Sequence, residues 1–160
     1  MDRREGLVAC LLLALVALSS QAAASTACVA HEPCAVKCDP ANCVVTLSRH
    51  NSSVDVQVQT AAGVQTLKSF CVKPNTPMVW KTTGDNFLVQ FAKGSSMDPN
   101  HTSPFTNGTP LLTGKPNVPA AVTASPDADC YPFAVVVCDA SPDGKSVKCG
   151  KLDPKVVIGN

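Results

Sequence analysis

No charge of one sign dominates this chain of 160 residues. Thirteen lysines and arginines stand against 12 aspartates and glutamates, for a net charge of +1, and no basic run occurs. Nucleic acid and anionic membrane surfaces are gripped by clustered positive charge, so neither is an expected partner. Long apolar runs are scarce too. The one candidate, Leu7 to Leu18, falls short of the roughly 20 residues that a bilayer-spanning helix needs. It follows Arg3-Arg4 and precedes Ala22-Ala23-Ala24, so residues 1–24 read as a signal peptide and no membrane association is expected after its removal. Cys10 lies near the start of the apolar run rather than after it and Cys28 lacks the usual leucine before it, so lipidation is not expected at either. No phosphate-cradling glycine loop, dinucleotide turn or Cys-x-x-Cys redox pair is present. The three histidines, His31, His50 and His101, adjoin no recognisable nucleophile motif. The expectation is a protein that is not an enzyme and carries no cofactor, secreted or periplasmic, with an unidentified extracellular partner.

Cysteine is what the chain has in quantity. Cys10 would leave with the signal peptide, and Cys28, Cys34, Cys38, Cys43, Cys71, Cys130, Cys138 and Cys149 would remain. An even number in an exported domain predicts up to four disulfides, while their connectivity stays open. The spacing C-x5-C-x3-C-x4-C from Cys28 to Cys43, interrupted by Pro33 and Pro40, predicts a loop-rich clip over residues 25–43 fastened by two bridges. A zinc site built from these thiolates and His31 is the sharper alternative. Zinc modules present paired C-x2-C knuckles, which are absent, so no metal is expected.

Residues 44–160 predict one β domain. Val54, Val56 and Val58 alternate with Asp55, Gln57 and Gln59, a half-buried strand with one wet face. Gly63 turns the chain into an apolar run from Val64 to Val72. Pro74 to Pro77 marks a turn before Met78 to Lys81, where Trp80, the only tryptophan, reads as a core plug. Phe87, Val89 and Phe91 then share a face. Tyr131, Phe133, Val135 and Val137 line one side of a strand whose other side, Ala134, Val136 and Cys138, is also apolar, the signature of an interior strand. The Asp143-Gly144 that follows suits a type I′ hairpin turn. Counting outward from it sets Ala140 opposite Val147 and Cys138 opposite Cys149, a candidate disulfide. In that register the two cysteines form a hydrogen-bonded pair, whose wider Cα separation leaves a bridge elsewhere open.

Between them, Ala92 to Asp129 contains six prolines, which excludes helix and any long central strand and leaves short edge strands near Leu111 and Val118 to Val122. A connection this long is commonly functional, so Met97, His101, Phe105, Leu111 and Leu112 are candidates for an interaction loop. Asn51-Ser52-Ser53, Asn100-His101-Thr102 and Asn107-Gly108-Thr109 are glycosylation acceptors in a eukaryotic source.

The stretches Met78-Val79-Trp80-Lys81-Thr82, Asn86-Phe87-Leu88-Val89-Gln90-Phe91, Tyr131-Pro132-Phe133-Ala134-Val135 and Asp153-Pro154-Lys155-Val156-Val157-Ile158 resemble the secreted cupredoxin-like sandwich proteins of bacteria over roughly Val54 to Asn160. About seven short strands between turn signals, with no amphipathic helix, already predict an antiparallel β-sandwich, and the resemblance implies that it is immunoglobulin-like with cupredoxin-like Greek-key connections. The resemblance also implies where copper would bind. The first histidine ligand would precede the Phe87 strand, where this chain has Asp85 and Asn86, and a Cys, His and Met would follow the Tyr-x-Phe strand. Cys138 stands there, but Asp139 to Lys148 holds neither histidine nor methionine, so a blue-copper centre lacks two of its strong ligands. The expected function is a structural or interaction module. The alternatives are a protein that handles copper or zinc and a cysteine-rich inhibitor of an extracellular hydrolase.

Overall fold

The computed structural model describes residues 35–94, 102–140 and 147–159. The expected signal peptide, Cys28, Cys34, His31, Met97, Asn100, His101 and the expected turn at Asp143-Gly144 lie outside those residues. Among them there are strands and no helix: β1 (Cys43–His50), β2 (Ser53–Thr60), β3 (Gly63–Thr66), β4 (Ser69–Val72), β5 (Pro77–Thr82), β6 (Asn86–Phe91), β7 (Leu111–Gly114), β8 (Ala120–Thr123), β9 (Asp129–Ala140), β10 (Val147–Leu152) and β11 (Lys155–Ile158). Eleven strands replace the expected seven or so, for three physical reasons. The run Val64 to Val72 is two strands, because the chain changes layers at Leu67-Lys68: β3 pairs with β2 whereas β4 pairs with β11. The proline-rich connection contributes β7 and β8, each held by one neighbour. The last arm is cut into β10 and β11 at Asp153-Pro154, since a proline has no N–H to give to a ladder, although both halves pair with β9 in one continuous register.

The strands form two layers. One has the order β3-β2-β1-β5-β8, and the other the order β7-β6-β9 followed by the β10/β11 arm and β4. A bridge between Lys151 and Ser53 joins the layers along one margin. Gly150 is required there, because a Cβ would lie 2.4 Å from the Ser53 carbonyl oxygen. The sandwich is not purely antiparallel: β1 with β5 and β4 with β11 run parallel. Parallel neighbours need long crossover connections, and here other strands supply them.

Alternation decides what the layers bury. In β2 the valines 54, 56 and 58 point inward and the polar residues between them outward, as the period of two requires. Trp80 is fully buried and packs against Phe70, Phe91 and Phe133 of the opposite layer, with ring centroids 6.3, 5.8 and 5.5 Å away. It is the plug between the sheets that its isolation in the sequence predicts. Tyr131, Phe133, Val135 and Val137 complete the core from β9, which is interior, with β6 on one side and the β10/β11 arm on the other.

The N-terminal clip is partly strand. Cys38 N–H donates to the Cys71 carbonyl and Cys71 N–H to the Val36 carbonyl, so residues 36–38 extend the edge of β4. Asp39 N–H then reaches the Gln59 carbonyl of the other layer, and the Cys38–Cys43 disulfide pins this crossing just before β1 begins.

Candidate functional site

The chemistry that the resemblance implies converges on one end of β9, and the structure brings those positions together. Asn86 of β6 lies directly beside Cys138 of β9, and Cys138 lies directly beside Cys149 of β10. The two sulfurs are joined in a disulfide, with Cα atoms 4.2 Å apart. The pairing and its register are those counted from the sequence. The phase is not: a separation this short belongs to the closely spaced kind of antiparallel pair, not the wide hydrogen-bonded kind. A disulfide suits the close kind, which removes the objection to this bridge. A bridged sulfur is not a thiolate, so Cys138 cannot serve as a copper ligand in this state.

All three residues face away from the core, because β9 sends Val135 and Val137 inward and Val136 and Cys138 outward. Cys149 and Asn86 are exposed and Cys138 is half-buried. The next row on this face is Lys151, Val136 and Leu88, in which Lys151 is the only charge. Leu88 is 37% exposed, and Leu111 on β7 and Val147 on β10 are 44% and 64% exposed. The result is a flat, sparsely charged sheet face with a disulfide at one end. Leu88 and Val147 were missed as surface residues because each sits in or beside an apolar run. Strict alternation with Phe87 and Val89 is the signal that marks Leu88 as outward-facing.

On the inner side of the same end, Arg49 of β1 pairs with Asp139 at 2.6 Å and donates to the Asn51 carbonyl at 3.3 Å. Arg49 Nε and Asp139 Oδ1 are buried without a hydrogen-bond partner. This pair ties the first strand to β9 where the layers meet, and nothing in the sequence links residues so far apart.

The other candidates are placed as follows. Phe105 is buried and packs edge-on against Phe91 with centroids 5.0 Å apart, and Leu112 is buried opposite Val89. Of the described loop candidates only Leu111 is exposed. The proline-rich connection thus seals the sandwich through Phe105, and the pairing of Phe105 with Ala124 fixes it. Asn51, at the β1–β2 turn with φ 56°, and Asn107 are both exposed. His50 is exposed and lies 3.3 Å from Asp55, while the neighbouring Ser53 hydroxyl donates to the His50 carbonyl rather than to its ring. Among the described residues no three His, Cys, Asp or Glu side chains are grouped to hold a metal.

At the opposite end of β9 lies a second polar group. Asp129 is fully buried and accepts from the Cys130 N–H at 2.7 Å, and Tyr131 is fully buried with a hydroxyl that lacks a hydrogen-bond partner. Burial, reinforced by the charges of Asp129 and Asp127, pushes the Tyr131 phenol up to about 12, so it stays protonated and is no base at neutral pH. Cys71 and Cys130 are also disulfide-bonded, but not to one another. Both are register partners of Val157 on β11, one on either side, so they lie two strand spacings apart, about 9.5 Å, beyond the reach of a disulfide.

No family model, curated protein or solved structure matched this chain when it was compared with each.

Proposed function

We propose that the chain is an exported, non-enzymatic module with a structural or interaction role, built on a cupredoxin-like scaffold in which a disulfide stands where the related copper proteins have a metal ligand. The observation that carries this reading is the Cys138–Cys149 bridge beside Asn86. The scaffold part is supported by the connections. The chain passes between layers from β3 to β4, from β4 to β5, from β5 to β6, from β7 to β8 and from β8 to β9, so that β6 lies beside β9 rather than beside its predecessor, as Greek-key wiring requires. Export is supported by the disulfides, which persist in oxidising compartments. The surface the module offers a partner is the sparsely charged outer face that carries Leu88, Leu111 and Val147.

Copper titration of the oxidised protein tests the reading, together with elemental analysis of material purified from its own compartment. The expected result is no stoichiometric copper or zinc and no intense visible absorption from a thiolate–copper bond. One equivalent of retained metal would overturn the proposal in favour of metal handling, and inhibition of an extracellular protease in a panel would favour the inhibitor reading.

A further inference from the structure

We propose that the Cys138–Cys149 bridge is a thiol–disulfide exchange site whose substrate is a thiolate reductant, and that Cys149 is the sulfur attacked. The inference does not depend on the module reading above. Access distinguishes this bridge from Cys38–Cys43, the other one whose two cysteines are both described. Cys38, Cys43, Cys71 and Cys130 are all buried, with 2%, 3%, 2% and 0% exposure, whereas Cys149 is exposed on the open face of β10. Exchange requires a thiolate to approach a disulfide sulfur, so an exposed bridge reacts while buried ones are spared.

The choice of sulfur follows from the same face. An incoming thiolate meets Cys149 first, because Cys138 is half-buried between β10 and β6. As the bond from the reductant to Cys149 forms, the Cys138–Cys149 bond breaks and its electron pair stays on Cys138 as a thiolate. Lys151 pairs with Val136 in the next row of this face, two residues along β10 from Cys149, so a cation stands beside the bridge and favours a thiolate there. The carboxylate of Asp139, which would oppose it, faces the inner side and is held by Arg49. A second thiol of the reductant then attacks its own sulfur in the mixed disulfide and releases Cys149. In total the protein gains two electrons and two protons, and the dithiol becomes a disulfide.

The fold also makes the step reversible. The pairs Val147–Ala140 and Gly150–Val137 flank the cysteines, and β6 holds β9 from the far side, so the two thiols stay facing each other after reduction. Beyond β9, β10 is tied to the second layer through Lys151 and Ser53, so opening the bridge loosens this margin while the core around Trp80 is untouched.

Graded dithiothreitol on the folded protein, followed by alkylation and mass spectrometry, tests the proposal. Cys138 and Cys149 are expected to be labelled first, about tenfold or more faster than Cys38 or Cys43, with an unchanged far-ultraviolet circular-dichroism spectrum. Equal labelling of Cys38 or Cys43, or labelling that appears only as the spectrum collapses, would overturn it. Quenching the wild-type protein during reaction with glutathione should trap the mixed disulfide on Cys149, and recovery on Cys138 instead would refute the assignment of the attacked sulfur. In a Cys138→Ser variant the remaining Cys149 should react with glutathione disulfide faster than Cys138 does in Cys149→Ser. The wild-type trapping decides the matter if either variant fails to fold.

Discussion

The two ends of β9 make a controlled comparison, because Cys130 and Cys138 project from the same strand toward the same side of the same sheet. At the N-terminal end the outward row Cys71, Val157 and Cys130 is buried, with Val157 at 3% exposure. At the other end the outward row Cys149, Cys138 and Asn86 meets solvent. The same residue type in the same extended backbone therefore has two different chemistries. Beneath the buried row a protonated phenol and a buried carboxylate share the strand. Beside the exposed row lie an accessible disulfide, a lysine and apolar side chains. The lesson is that oxidised cysteine is a covalent part of the core at one end and is open to solvent at the other, and what covers the strand makes the difference.

Complete reduction is the harshest way to erase this contrast and should have the largest effect. Its expected result is a fall in melting temperature of well over ten degrees in a circular-dichroism melt, since a domain of this size is stable by only about 5 to 15 kcal/mol. Removing only the exposed bridge, in a Cys138→Ser/Cys149→Ser variant, should cost roughly 3 kcal/mol for an 11-residue separation, and removing Cys38–Cys43, with a separation of 5, should cost roughly 2 kcal/mol. Urea denaturation measures both, and an unchanged midpoint for the first would mean that the hairpin ladder constrains the unfolded chain as much as the sulfur bond does.

A matched pair of conservative changes sharpens the comparison further. Val157→Thr places a hydroxyl in the buried row and should cost about 2 kcal/mol. Val136→Thr makes the same change in the half-buried row next to the exposed disulfide and should cost less than about 1 kcal/mol. Equal losses would show that the two rows are not differently shielded.

The smallest effect belongs to Tyr131, the only tyrosine in the chain, whose phenolate absorbance can be read without interference. Its ionisation in the folded protein is expected near pH 12, against about 10 unfolded. The folded state then binds more protons than the unfolded state between those values. Stability is therefore unaffected by this group below about pH 10 and declines as pH rises from there toward 12. A folded-state titration centred near 10 would mean that the buried end is wet.

Much of this was legible in the residues. The inward faces of β2, β6 and β9 follow from alternation, because a pleated strand sends neighbours to opposite sides whatever surrounds it. The Cys138–Cys149 register follows from a short hairpin, since local geometry allows few ways to fold back. Other features were hidden for the same physical reason. The break between β3 and β4 at Leu67-Lys68 depends on which layer each half joins, and the burial of Phe105 depends on Phe91 being there to receive it. The Arg49–Asp139 pair joins residues that no spacing rule relates.

By itself the sequence determined the composition of the core, the β character of the chain and the register that sets its last two cysteines opposite one another, because these rest on period, propensity and short loops. Only the tertiary structure decided that β4 runs parallel to β11, that Cys71 and Cys130 flank Val157 rather than bond to each other, and that Cys138 bonds to Cys149 with Cys149 facing water. Those outcomes depend on what distant segments cover, and burial is a property of the assembled layers rather than of any stretch of chain.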